Sequence, residues 1–242
     1  MPDTQTVLNL SGKNSHRVAD NLKDYSDHLK DFDNWTRLNT LVSVLSYFEI
    51  YLSTAVSLAI ESDLGLIHSV RKKIDGVMVL KYNNKENYSF FDKSELITKG
   101  TWYQRVSNFL SLFHLAPISL GSNISELEKM RKLRNNVAHA FGRDIDKTRS
   151  RHTLEILPIE RLSEERLMRY MDLIMKIAKD IDNQLLEQHI GDFELVHYYH
   201  TIRDKLDSKH QVKSFKAKVN SLYVENKSID YCKKLIEYYE AL

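Results

Sequence analysis

Residues 124–143 read "ISELEKMRKLRNNVAHAFGR", and within them Arg134, Asn135, Asn136 and His139 crowd into one short stretch. A guanidinium carries a fixed positive charge on a planar fork of donors. An imidazole titrates near neutrality and can take up or release a proton. Side by side, the two offer a charge clamp and a proton carrier. The same residues would also serve as the wet side of an ordinary helix, so their angular placement matters.

At about 100° per residue, Leu127, Met130, Leu133, Val137 and Phe141 form one apolar stripe. Arg131, Asn135 and His139 recur at i, i+4 and i+8 on a different face. Arg134 falls within the apolar stripe, three residues before Val137. A guanidinium there needs an acidic partner or an opening, because an unpaired buried charge is costly. Glu49 is a candidate partner. Arg134 and His139 stand i, i+5, about 140° apart on a straight helix. They would meet if the helix distorts at the Asn-Asn pair, whose helix propensity is low, or if two subunits contribute. Helix geometry alone is satisfied by a solvated face, with Arg134 snorkelling or paired to Glu49.

The elements that must position these residues read as helices. Segment 123–141 has Asn123 as a cap with Glu126 three residues on, and Gly142 where a left-handed C-terminal residue belongs. Before it come a polar lead-in helix over 15–34 and an apolar helix over about 38–62. The latter is apolar nearly all round, as suits an element buried on several sides. Residues 63–74 suggest a loop or short helix. Within 75–91, "VMVLKY" and "YSFF" flank an Asn-rich turn and suggest a small hairpin or irregular insertion. A helix over 101–115 ends before Pro117, with Trp102 and Tyr103 as core anchors at its start. The basic loop "GRDIDKTRSRH" leads to a short extended piece, "TLEILPIERL". A strong helix follows from Ser163, with Glu164 and Glu165 at the positive end of its dipole. Two or three shorter helices follow Gly191. The expected fold class is all-α, a helical bundle over 15–190 with a C-terminal helical extension over 191–242.

Composition narrows the function classes. The 242-residue chain is 42% hydrophobic and 28% charged, as in soluble globular proteins, and 7 glycines with 3 prolines suit long helices. A net charge of +2 selects no class of partner. A single cysteine, Cys232, leaves no intramolecular disulfide and no cysteine cluster for zinc. No Gly-rich phosphate loop is present. The N-terminus lacks the pattern of a secretory leader, so a cytoplasmic location is expected. Glu49 sits at the centre of the apolar segment 38–60, where a carboxylate would cost about 2.5–3.5 kcal/mol in a bilayer, so no membrane association is expected.

The stretch "LRNNVAHAFGR" at the end of a helix resembles the signature of the HEPN superfamily, helical domains whose motif is Arg, four to six residues, then His. The residue after the Arg is usually Asn, Asp or His. Here Arg134, Asn135 and His139 fit that pattern. The surroundings are similar too: an apolar helix with an acidic residue, "LVSVLSYFEIYL", then an aromatic-basic helix, "WYQRVSNFL", and a long helix after the motif. The resemblance covers about residues 35–190. It implies a metal-independent endoribonuclease that needs no cofactor, of the kind found in toxin–antitoxin, phage-defence and RNA-processing systems. Such proteins work as homodimers with motifs facing across a groove. His139 would then be general acid or base, Arg134 would hold the scissile phosphate, and Asn135 would orient the imidazole or bind phosphate. Attack by the 2′-hydroxyl would leave a 2′,3′-cyclic phosphate. Glu49 would have a structural or orienting role.

Other candidates remain beside that site. Arg131 on the motif helix, with Arg143, Lys147, Arg149 and Arg151 in the basic loop, could track an RNA backbone. Glu194, His197 and His200 have a helical spacing that zinc could use, but aromatic and histidine packing explains them without a metal. The basic run 203–218 suits a solvated face or a docking surface. The rivals to the nuclease are therefore a non-catalytic HEPN-like module binding RNA, nucleotide or protein, and a regulatory subunit docking a partner such as an antitoxin through its last 50 or so residues.

Overall fold

The computed structural model describes residues 3–67, 75–82, 90–149, 157–222 and 226–242. Among the described residues there are α-helices and no strand. The helices are α1 (Thr4–Val7), α2 (Leu22–Ser62), α3 (Gly76–Lys81), α4 (Phe90–Thr98), α5 (Trp102–Phe113) and α6 (Ile118–Ser122), then α7 (Ile124–Ala140), α8 (Ile145–Arg149), α9 (Glu164–Leu185), α10 (Phe193–Ile202), α11 (Gln211–Leu222) and α12 (Ile229–Ala241). The all-α class expected from the sequence is what the chain adopts. Two compact units form, Met1–Phe48 with Ser125–Lys176, and Glu49–Ile124 with Ile177–Leu242. Residues 191–242, read from the sequence as an extension, are thus part of the second unit.

The lead-in and the apolar segment are one helix, α2, started by Asn21, whose Oδ1 accepts from the Asp24 backbone N–H at 3.0 Å. By length and composition α2 is apolar enough to cross a membrane, a test that the core helix of a soluble protein also passes. Its burial is uneven: over 51–62 only Thr54 is exposed, as its composition suggested, whereas the stretch before it keeps an open side. Leu38, Leu41, Leu45 and Phe48 are buried at helical spacing in the first unit, while Tyr47 is 75% exposed and Ile50 63%. The hydroxyls along α2 bond within the helix: Thr36 to Phe32 O, Thr40 to Thr36 O, Ser43 to Asn39 O, and Thr54 to Ile50 O. Their polarity is satisfied without a second helix, which lets an apolar-looking segment keep an open side.

In the first unit, Leu127, Met130 and Leu133 of α7 and Leu167, Tyr170 and Ile174 of α9 are buried, together with the four leucine and phenylalanine positions of α2. Of the extended piece expected over 153–162, residues 153–156 lie outside the described ones, and 157–162 form a strap that belongs to no helix or strand. Belonging to no sheet, this strap takes its hydrogen bonds largely from side chains. Buried Asn34 donates to Glu160 O at 2.9 Å and accepts from Leu162 N at 2.8 Å. Arg37 Nε donates to Leu162 O at 2.7 Å.

In the second unit the expected hairpin is corrected: "VMVLK" lies in α3, and the two phenylalanines of "YSFF" start α4, while residues 83–89 lie outside the described ones. Three features override the β preference of the valines. Asp75 caps α3 by accepting from Val77 N at 2.9 Å. Gly76 lies so close to α2 that a Cβ would come 1.7 Å from the Glu61 carbonyl oxygen. Val77 and Leu80 are buried, and Val77 joins the core of Phe193, Tyr199, Phe215, Leu235 and Tyr239. Lys81 Nζ donates to Tyr239 O at 2.7 Å and so closes the C-terminal turn of α12. Trp102 is a core residue as expected, but Tyr103 is 61% exposed. Residues 68–74 also lie outside the described ones.

Asn34→Ala removes both side-chain ties to the strap and strands a buried peptide N–H. We expect a loss of about 2–3 kcal/mol in urea unfolding. Arg161→Ala breaks only an exposed ion pair with Asp31, 2.6 Å long, and should leave the midpoint where it is.

Candidate functional site

The motif residues occupy the last two turns of α7, in the first unit. The helix stays α-helical through Ala140, so the distortion expected at Asn135-Asn136 does not occur. The side chains partly do what the backbone does not. Arg134 NH1 donates to Asn135 Oδ1 at 3.1 Å, which draws the guanidinium toward the face that Asn135 shares with His139, one turn on. Arg134 and Asn135 are half-buried, and His139 is exposed. Among the described residues no hydrogen-bond partner of His139 is found, so its ring nitrogens face solvent.

The second asparagine has a different task. Asn136 Nδ2 donates to Glu160 Oε1 at 2.6 Å, and its Oδ1 accepts from Ile145 N at 3.4 Å. Its carbonyl accepts from Gly142 N at 2.9 Å, the long bond that closes a helix C-terminus around a left-handed residue. Asn136 therefore ties the end of α7 to the strap and to α8. Gly142 has φ +82°, and a Cβ on it would meet Ile159 Cγ2 at 2.8 Å. Its carbonyl accepts from Glu160 N at 2.7 Å. The end of α7 beside His139 is thus clamped by backbone hydrogen bonds, with the Ile159 and Leu38 side chains packed close against Gly142.

One placement in the sequence-based stripe is corrected. Phe141 is not core but 81% exposed, because α7 ends at Ala140 and Phe141 turns left-handed, with φ +52°. The 100° progression stops one residue before it. Val137 is half-buried, so the fully buried part of the stripe among these positions is Leu127, Met130 and Leu133.

The other nominated residues divide. Arg131 forms a close two-oxygen pair with Glu128, from Nε at 3.1 and 3.0 Å and from NH2 at 2.5 Å. Arg143 Nε donates to Leu157 O at 2.8 Å and holds the far end of the strap. Lys147 is exposed on α8, whose first turn is capped by Asp144 through the Lys147 N–H at 2.9 Å. The Arg149 side chain and Arg151 lie outside the described residues. Glu49, in the second unit, pairs with Arg105 NH2 at 3.0 Å. Arg105 is buried over the Trp102 ring, 4.7 Å away, a partner the sequence reading did not name. His200 Nδ1 is engaged with Tyr239 Oη at 2.6 Å, and among the described residues no three His, Cys, Asp or Glu side chains gather as a metal site would require.

A cleft of about 420 Å³ in the first unit is lined by Glu126, Lys129, Arg166, Arg169, Tyr170 and Leu173. Lys129 is paired to Glu126 at 2.6 Å. The Arg166 guanidinium lies 5.2 Å from the Tyr170 ring centre, and its Nε donates to Tyr170 Oη at 2.8 Å. This preorganised arginine was missed in the sequence, although the i, i+4 Arg–Tyr spacing carried the signal.

No protein-family model matches this chain, and neither the curated proteins nor the solved structures include a significant match to it.

Gly142→Ala is expected to destabilise the protein by upwards of about 1 kcal/mol, through both the positive φ and the Ile159 overlap. His139→Ala, at an exposed position without a protein partner, should shift stability by less than about 0.5 kcal/mol. Thermal unfolding of the two variants checks the contrast.

Proposed function

We propose that the protein is a HEPN-like, metal-independent endoribonuclease of the cytoplasm, active as a homodimer, with Arg134, Asn135 and His139 as its catalytic residues. The observation that carries this reading is the Arg134–Asn135 hydrogen bond. It directs a guanidinium toward the face on which His139 stands exposed and unengaged. His139 has no protein partner among the described residues, which leaves its imidazole open to a substrate.

In this reading Arg134 holds a non-bridging phosphate oxygen and offsets the charge that builds on the phosphorane. His139 takes the proton from the ribose 2′-hydroxyl. The O2′–P bond forms, the P–O5′ bond breaks, and the products are a 2′,3′-cyclic phosphate and a 5′-hydroxyl. The leaving 5′-oxygen needs a proton, and a two-fold axis would supply it from the partner subunit's His139. Tyr47 and Ile50, exposed on α2, are apolar surface that such pairing could cover. Arg131 and Arg143 have structural engagements, and Lys147, exposed on α8, is a further cation that could meet the RNA backbone. An antitoxin or other protein partner that restrains the enzyme fits the same reading.

The test is cleavage of total RNA in EDTA by wild type and His139→Ala, purified identically, with product ends mapped. We expect His139→Ala to lose at least about a hundredfold in rate and wild type to leave cyclic phosphate. Arg134→Lys should not restore activity to Arg134→Ala, since a point charge does not replace the fork. Equal cleavage by wild type and His139→Ala would sink the assignment. RNA affinity without any cleavage would favour the non-catalytic module.

A further inference from the structure

We propose that Phe141 is a stacking platform for a nucleobase of the RNA whose phosphate is held at Arg134 and His139; this rests on the ribonuclease reading above. Phe141 stands two residues beyond His139, and 81% of its surface is open to solvent. Its φ of +52° lies in the left-handed region, which disfavours a bulky side chain. The other non-glycine residues in that region are Asn9 and His114, whose types tolerate it several-fold better. The helix end gives no reason for the phenylalanine. Glycine is the usual residue at this position, and Gly142, at φ +82°, follows directly.

The side chain returns nothing to the fold, since the left-handed turn carries it off the buried stripe. Among the described residues it has no aromatic or cation–π partner. Backbone strain and an exposed aromatic ring together cost stability at the one place where His139 is also exposed. Along the chain the ring lies between His139 and Arg143, with Arg134 and Asn135 on the preceding turns of α7. Such chain neighbours offer phosphate and ribose chemistry, and an exposed ring next to them suits a single-stranded base, which presents a π-face whatever its sequence.

Phe141→Gly and Phe141→Tyr are compared with wild type for binding a single-stranded oligonucleotide that carries 2-aminopurine and is 2′-O-methylated, so that it cannot be cut. Cleavage of total RNA is measured in parallel. We expect Phe141→Gly to unfold at a higher temperature than wild type, to bind about tenfold more weakly, and to lose the quenching of 2-aminopurine. It should also cut more slowly and with less preference for the base beside the cut. Phe141→Tyr, which keeps the ring, should stay within a few-fold of wild type in every readout. Unchanged affinity, quenching and cut pattern in Phe141→Gly would overturn the proposal, while the His139→Ala comparison would still stand for the nuclease. Dissociation of a dimer by Phe141→Gly, seen in sedimentation, would overturn it in favour of a contact between subunits. If wild type neither binds nor cuts RNA, both readings fall together.

Discussion

A segment outside any helix or sheet must still find partners for its peptide groups, and the first unit is organised around that requirement. Residues 157–162 are such a segment. Their bonds come from the buried carboxamide of Asn34, the guanidinia of Arg37 and Arg143, and the backbone of Gly142. The first three residues lie on α2 or just beyond α7, and Gly142 is the hinge point between α7 and α8. The strap therefore fixes where α7 ends. Because α7 ends there, His139 is held on a rigid last turn while its own side chain is left unconstrained.

The two adjacent asparagines divide the labour. Asn136 is spent on the scaffold, bonded to Glu160 and Ile145 and closing the helix through its carbonyl. Asn135 is spent on Arg134. A backbone distortion was one way for a guanidinium and an imidazole five residues apart to approach each other. The structure keeps the helix regular and bonds the arginine side chain to its neighbour Asn135 instead. Such an arrangement is precise only if the helix does not fray, which again returns to Gly142 and the strap.

Much of this was legible in the sequence, and the failures have physical causes. The Ser163 cap and the Gly142 stop are local signals, and the helices begin and end near them. Asn123, read as the cap of α7, instead donates its side-chain amide to Ser119 O. The caps Asn21 and Thr101 were not picked out. The apolar run 77–80 was misread as a strand, because what makes it a helix is Gly76 against the carbonyl of Glu61, a contact between elements. Phe141 was placed in the core by a periodicity that does not know where a helix stops. The partner of Arg143 was invisible for the same reason that Asn34 was: each bonds a backbone carbonyl far along the chain, and no side-chain pattern announces it. Arg134, Asn135 and His139 stood out by type and spacing. That Asn135 bonds Arg134 while Asn136 bonds Glu160 and Ile145 did not.

The hydroxyls of α2 have one more consequence. Thr36, Thr40, Ser43 and Thr54 all donate to carbonyls of the preceding turn. Each donor is therefore already occupied before anything approaches, and covering this side of the helix strips little bound water from it. Whatever came to cover it would leave none of these donors stranded.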